Sequence, residues 1–470
     1  MKKTGILLHI SSLPKGYGIG NFGKAAYEFV DFLAETNQRY WQILPLNPVG
    51  YGYSPYQSES TFAINPLFID LDALLAEGML YASDLPDKEG LNSRNVDYEK
   101  VFALYSTALN KAFFNGYLQL SKDIADFMNE HKWLKDYAVF MTLKEKNGNA
   151  IWQECVIKSI ESEKERLDYY CFVQYIAYKQ YLKLKEYANS KDILIIGDIP
   201  IYVSEDSADV WSNPQEFYLD KAGRPTKRAG VPPDYFSADG QLWGNPLYNY
   251  KKMRKNKFIW WRNRLKNALT LYDIVRIDHF RAFAAYWAVT GCTAKEGQWI
   301  RSAGRELLSS MSDFFTADRI IAEDLGVITP AVDKLRQEFG FAGMKVLQFA
   351  FGKKTRRHKY LPHNYPENCV AYSGTHDNPT LAGFINNAGV ELENIKNYYK
   401  TCNSLLLCDI MLKSLVNSKA GKVIFPAQDI LGMEDGRMNT PSTTGGNWTF
   451  RLLSGELETK KDYLTNLTKQ

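Results

Sequence analysis

Arg276 and Asp278 close the apolar run Ile274-Val275-Arg276-Ile277-Asp278. Two residues apart on a strand, they send both side chains to one face. A guanidinium beside a carboxylate favours the ionised form and lowers its pKa, as a carboxylate nucleophile requires at neutral pH. A second acidic pair, Glu323-Asp324, ends the run Ile320-Ile321-Ala322, where an apolar setting raises a carboxyl's pKa. To stay largely protonated near neutrality that group needs a shift of roughly two units above ~4.3, about 3 kcal/mol. One ionised and one protonated carboxyl are the nucleophile and the acid/base of substitution at a sugar's anomeric carbon with retention. Residue type leaves Glu323 and Asp324 as alternatives for the second role. His376-Asp377 adds a neutral and a charged acceptor for sugar hydroxyls. Asp198 and Asp429 end two further apolar runs, and an Asp in such a place also caps helices, a role open to Asp324 and Asp429.

Eight short apolar stretches carry these groups: Gly5–Ile10, Tyr40–Leu46, Leu194–Pro200, Ile274–Phe280, Ile320–Gly326, Met344–Ala350, Cys369–Asp377 and Lys422–Ile430. Ile/Val/Leu runs without alternation indicate strands covered on both faces. Helical periods lie between them; Ala26, Phe29, Val30 and Leu33 make one such face. The count predicts an α/β fold, a closed (β/α)₈ barrel with its chemistry at the C-terminal strand ends; a doubly wound open sheet is the competing arrangement. The gap between the second and third strands far exceeds one crossover of ~30 residues. It holds helical patterns at Val101, Leu104, Tyr105 and Ala108 and at Tyr169, Phe172, Val173 and Ile176, with charged turns at 87–89 and 144–146. The expected division is a barrel from 1–65 and 190–470 with a mainly helical subdomain inserted at 66–189. Residues 201–250, rich in Gly, Pro and aromatics and without a running period, read as a long ordered loop over the barrel mouth.

Polar sugars bind by ring stacking and hydrogen bonding, and two loops supply both kinds of group. Gly50-Tyr51-Gly52-Tyr53-Ser54-Pro55-Tyr56 follows the second strand, and Gln241-Leu242-Trp243-Gly244-Asn245-Pro246 lies in the long loop.

Other patterns point elsewhere and fail. Gly18-Ile19-Gly20-Asn21-Phe22-Gly23-Lys24 fits GxGxxG and nearly fits GxxxxGK(S/T), but Ala25 stands where the latter needs a magnesium-binding hydroxyl, and the first apolar run ends too far before Gly18 for the former. It reads as a plain turn into a helix. Lys353, Lys354, Arg356, Arg357 and Lys359 form one solvated basic loop in a chain with 57 Lys and Arg against 53 Asp and Glu, net +4. That balance argues against a dedicated polyanion binder. His358 and His363 have the wrong spacing for two metal ligands on one helical face. Six cysteines without a CxxC pair fit a reducing compartment. The apolar run after Lys2-Lys3 stops at His9, so no signal peptide is expected, and no run of about 18 apolar residues predicts a membrane helix.

Taken together, HISSLP at 9–14, GYGYSPYQ at 50–57, GDIP at 197–200, VPPDYFSADGQLWGNPLY at 231–248, RIDHFRAF at 276–283, AEDLG at 322–326, GTHDN at 374–378 and MNTPSTTGGNW at 438–448 resemble the 4-α-glucanotransferases of the amylomaltase and disproportionating-enzyme type, glycoside hydrolase family 77. The resemblance spans essentially the whole chain in that family's order. It implies a (β/α)₈ barrel with inserted subdomains and selects Glu323 over Asp324. By that likeness Asp278 is the nucleophile, Glu323 the acid/base and Asp377 the carboxylate that grips and distorts the sugar. Arg276 and His376 contact the same sugar, Asp198 supports it, and Tyr56 stacks on the donor. Gln241 and Trp243 belong to a loop arching over the glucan, and His279 stands beside the nucleophile. Two positions depart from the pattern: Tyr53 where Asp is frequent, and Ala282 where Gly is usual.

The expected activity is transfer of an α-1,4-glucan segment to another glucan's 4-hydroxyl, with hydrolysis on the same barrel or glucan binding without catalysis as alternatives. Expected partners are malto-oligosaccharides, amylose or glycogen-like glucans, and glucose as acceptor, with no nucleic acid and no membrane. No metal or organic cofactor is required by any residue set, and a cytoplasmic location is expected.

Overall fold

The computed structural model describes residues 3–157, 159–160, 162–233, 238–352 and 357–469. In chain order the strands are β1 (Lys3–Leu7), β2 (Tyr40–Gln42), β3 (Leu194–Ile199), β4 (Arg228–Val231), β5 (Gln241–Pro246), β6 (Ile274–Ile277), β7 (Ala285–Val289), β8 (Gly297–Arg301), β9 (Ile320–Ala322), β10 (Gly343–Val346), β11 (Cys369–Tyr372) and β12 (Lys422–Pro426). Eight of them form one parallel sheet in the order β10-β11-β12-β1-β2-β3-β6-β9. A parallel bridge from Ile321 to Ala342, with the Ala322 N–H donating to Ala342 O at 2.8 Å, joins β9 to the residues leading into β10 and closes the ring. The fold is therefore the (β/α)₈ barrel, and the open-sheet alternative falls. Closure leaves no edge strand, and helices outside cover what the interior does not, which is why the strands carry apolar residues on both faces.

Every barrel strand ends before its apolar run does. The segments expected to reach Ile10, Leu46, Phe280, Gly326, Ala350, Asp377 and Ile430 leave the ladder at Leu7, Gln42, Ile277, Ala322, Val346, Tyr372 and Pro426. Beyond those points single bonds continue the pairing: Asp278 N–H to Ile199 O at 3.0 Å and Glu323 N–H to Ile277 O at 3.1 Å. The extra apolar residues are buried at the mouth without being strand.

Helix Lys24–Glu35 follows the GxGxxG-like turn, as expected, with Ala26, Phe29, Val30 and Leu33 buried. Between β2 and β3 run three long helices, Tyr98–Glu130, Trp133–Lys146 and Lys164–Ser190. Asp97 starts the first by accepting the Lys100 N–H. Residues 144–146 do not form the expected charged turn. They are the last turn of the second helix, and Lys144 is buried with its ammonium on Asp206 and on the carbonyls of Asn149 and Ala150.

The stretch 201–250 also differs from a loop. It contributes β4 and β5 to a four-stranded antiparallel sheet ordered β5-β4-β7-β8. Two local hairpins, β4–β5 and β7–β8, are joined through β4 and β7, whose partners (Arg228 with Val289, Gly230 with Trp287) are far apart in the chain, so the local sequence carries no sign of that joining pair. Residues 234–237, within one motif quoted above, and Lys353, Lys354 and Arg356 of the basic run lie outside the described residues. Lys359 of that run sits over the Tyr360 ring at 5.1 Å.

Candidate active site

Register sets the first contact. Asp198 on β3 pairs directly with Arg276 on β6, and both side chains enter the barrel. The Arg276 guanidinium forks, one nitrogen on Asp198 and the other on Asp278 Oδ1 at 2.9 Å. Arg276 and Asp198 are buried, whereas the Asp278 side chain keeps 31% of its exposure. The Tyr56 hydroxyl donates to the same Asp198 oxygen at 2.7 Å. Gly197 makes this possible from behind, because a Cβ there would meet the Tyr272 ring at 2.1 Å.

Glu323 is tied to the residue next to Asp278. Its Oε2 accepts the His279 N–H at 2.7 Å and its Oε1 the Leu325 N–H at 2.8 Å. His279 reaches it from the left-handed region, at φ 49°, a conformation that costs a non-glycine residue about 1 kcal/mol or more. Burial, with the Asp278 charge adding, pushes the Glu323 carboxyl up to about 8. A carboxyl raised in this way matches the expectation for a protonated partner. Asp324 faces away, accepting the Met344 N–H at 2.7 Å and lying 3.2 Å from Arg336.

The expected lowering of Asp278 is corrected. Burial raises its carboxyl above the usual range, with Asp198 and Asp377 adding, and Arg276 opposes without reversing the sign. A contrast between the two carboxyls survives, because Asp278 touches a guanidinium and Glu323 accepts only backbone amides. Burial also lowers the His279 imidazole to about 3, so the ring beside Asp278 is neutral.

Asp377 is gripped from three sides. Its Oδ1 accepts Asn439 Nδ2 at 2.6 Å and lies 3.4 Å from His376 Nε2, while Arg437 donates to its carbonyl oxygen. Tyr56 stacks on His376 with centroids 5.2 Å apart, and the Trp448 indole stands against both rings at 5.6 and 5.9 Å. Across the cleft Trp243 presents its ring edge-on to His279 at 4.8 Å and donates from Nε1 to Gln241 Oε1 at 3.1 Å. Tyr56, Gln241, Trp243, Asp278, His376 and Asp377 are among the residues lining a cleft of about 270 Å³. All ten residues singled out in the sequence gather at this one mouth.

Asp429 belongs elsewhere: it lies in helix Ala427–Leu431, accepting the Ser373 hydroxyl at 2.5 Å and the Leu381 N–H at 2.7 Å. Asn439, Arg437 and Trp448 are neighbours of Asp377, Tyr56 and His376 that reasoning from strand ends missed. Two of them lie in MNTPSTTGGNW, a stretch with no strand or helical period, so only the motif itself flagged them. His9, from HISSLP, sits buried with Nδ1 accepting the Leu44 N–H at 3.2 Å. Among the described residues no group of three or more His, Cys, Asp and Glu is arranged to hold a metal ion, and no helix is long and apolar enough to cross a membrane.

The chain as a whole has clear relatives. The family model for 4-alpha-glucanotransferase, glycoside hydrolase family 77, matches residues 8–456. The chain belongs to the 4-alpha-glucanotransferase family. A 4-alpha-glucanotransferase of Clostridium butyricum is 43% identical over 98% of this chain and 99% of its own length. One from Thermus thermophilus is 42% identical over 96% and 95%. The amylomaltase of Streptococcus agalactiae, solved in complex with acarbose, superposes with a TM-score of 0.96 at 41% identity, covering 100% of this chain and 99% of that one. Membership makes the chain an enzyme, a transferase of the glycoside hydrolase type.

Proposed function

We propose that this transferase works with retention through Asp278 and Glu323. Glu323 protonates the oxygen of an α-1,4 linkage while Asp278 attacks the anomeric carbon. The C–O bond breaks, the chain that leaves keeps a 4-hydroxyl, and the remaining segment is an ester on Asp278. Glu323, now a base, removes the proton from an acceptor's 4-hydroxyl, which attacks the same carbon and frees Asp278. Arg276 holds the nucleophile and Asp198 in one fork. Asp377, fixed by Asn439 and His376, grips the sugar hydroxyls, Tyr56 stacks on the donor ring with His376 beside it, and Gln241, Trp243 and His279 form the facing wall.

One observation carries this reading: a carboxyl held near 8 is tethered to the backbone amide adjacent to a second carboxylate that touches a guanidinium. The donors and acceptors are proposed to be malto-oligosaccharides and starch-like or glycogen-like glucans, with glucose also accepting. The acarbose bound by the Streptococcus agalactiae relative supports that substrate class. An acceptor must outcompete water at ~55 M, which positioning on an aromatic-walled cleft can achieve through high effective molarity. We read 66–189 as a helical subdomain inserted into a barrel built from 1–65 and 190–470, and six cysteines with no CxxC pair support a cytoplasmic location.

Incubation with pure maltotriose tests the reaction. A ladder of longer maltosaccharides together with glucose is expected. Maltose and glucose alone would mean that water is the acceptor and the chain a hydrolase.

A further inference from the structure

Arg451 is fully buried, with 0% of its surface exposed, and its hydrogen bonds go to carbonyl oxygens rather than to a carboxylate. Nη1 donates to Leu91 O at 3.1 Å and Ser93 O at 3.4 Å, and Nη2 donates to Lys15 O. Its Nε has no partner, and burial lowers the guanidinium to about 10. Burying a cation on such terms is costly. A planar fork that spans separate acceptors is the one thing it does that an apolar side chain cannot.

The three carbonyls belong to two loops, the one after β1 and the one leading into helix Tyr98–Glu130. Between those loops runs the segment that carries Arg451. Its backbone is zipped to the second loop, Val96 N–H to Thr449 O at 2.8 Å and Arg451 N–H to Arg94 O at 2.7 Å, and to the first, Leu452 N–H to Ser12 O at 2.9 Å. Three residues before Arg451 stands Trp448, whose N–H donates to Met438 O at 2.7 Å. That bond pins the base of the loop bearing Asn439. The Trp448 ring in turn rests against Tyr56 and His376. A continuous chain of bonds and ring contacts therefore joins a buried cation to the two rings that face the sugar, while Asp278 and Glu323 are held by Arg276 and the strand-end amides, which Tyr56 meets only through Asp198.

Resting on the transferase reading above, we propose that Arg451 is a positioning residue for substrate binding: it fixes the C-terminal segment so that Trp448 keeps Tyr56 and His376 in place. Because the carboxyl pair has its own supports, loss of the clamp acts on glucan binding before it acts on bond breaking.

The test compares Arg451→Met, Arg451→Lys and Arg319→Met by thermal melting and by initial rates on maltotriose, with products separated. Arg319 is the control. It too donates to three carbonyls, Asp273 O at 2.8 Å and Leu269 O and Tyr272 O at 2.9 Å each, but immediately before β9, at the barrel end opposite the cleft. Arg451→Met is expected to raise the donor KM about tenfold with kcat changed less than about threefold, the scale of a displaced binding group. Arg451→Lys is expected to recover part of the KM, and Arg319→Met to lower the melting temperature with both constants unchanged. Should Arg451→Met not fold, Arg451→Lys must still raise KM relative to the parent. A parental KM in every folded Arg451 variant, or an equal KM rise in Arg319→Met, overturns the proposal, since either reduces Arg451 to general stability. Absence of a product ladder from the parent enzyme refutes the transferase reading instead, so the two failures are distinguishable.

Discussion

Replacing Glu323 by Gln separates the cost of its charge from its part in catalysis. The carboxyl moves from 4.5 to about 8 in the folded protein, a rise of roughly 3.5 units, worth about 5 kcal/mol at 1.36 kcal/mol per unit. A raised folded-state pKa means that the native state holds the proton more tightly than the unfolded chain. The associated stability is fully present below the unfolded value near 4.5, falls as pH climbs through that window, and is gone above about 8. At pH 7 about 3 kcal/mol of it has been lost. The amide of Gln does not titrate. It can accept only one of the two N–H groups of His279 and Leu325, which adds a pH-independent penalty of about 1–3 kcal/mol. Urea unfolding of parent and Glu323→Gln from pH 5 to pH 9 should therefore show the variant gaining on the parent by about 3–4 kcal/mol and levelling off above pH 8. Transfer activity of the variant should be lost by several orders of magnitude, and the parent's kcat/KM should fall on the alkaline side near pH 8, where the proton needed by the leaving oxygen is gone. A stability difference that stays constant across the range, or an alkaline limb at ordinary carboxylate pH, refutes the assignment of Glu323 as the proton-holding group.

Other substitutions probe the supports. Tyr56→Phe keeps the stack on His376 and removes the 2.7 Å bond to Asp198; kcat/KM on maltotriose should drop about tenfold, for a loss of about 1.5 kcal/mol, while the fold holds in thermal melting. Asn439→Asp replaces the 2.6 Å donor to Asp377 by a like charge, and a fall of about a hundredfold in kcat/KM is expected, with the deficit shrinking as pH is lowered and the new pair takes up a proton. Gly197→Ala drives a methyl into the Tyr272 ring at 2.1 Å; destabilisation of about 3 kcal/mol or more is expected by urea titration, and a variant as stable as the parent would contradict the packing described behind β3.

How much was legible beforehand depends on the range of the interaction. Strand and helix identity came from local periodicity, and Arg276 with Asp278 needed only the two-residue repeat of a strand, so those parts were available from the chain alone. So was the gathering of Asp198, Glu323, His376 and Asp377, because a barrel sends the C-terminal ends of all its strands to one mouth. The sheet formed by β4, β5, β7 and β8 was not, since the β4–β7 pairing that joins its two hairpins brings together segments far apart in the chain. Lys144 in an apparently charged turn shows the same limit: its acceptors Asp206, Asn149 and Ala150 become neighbours only on folding.

By itself the amino-acid sequence determined the eight apolar runs, the acidic residues that end them and the kind of chemistry paired carboxyls can perform, because these follow from residue type and short-range repeat; the choice of Glu323 and the roles of the loop residues came from the family resemblance of the motifs. Tertiary structure alone decided that Arg276 bridges Asp198 as well as Asp278, that burial outweighs it at Asp278, and that Asn439 and Trp448 pack against Asp377, Tyr56 and His376. Electrostatic balance is a sum over every charge and over the depth of the protein around a group, and no spacing along the chain encodes that sum.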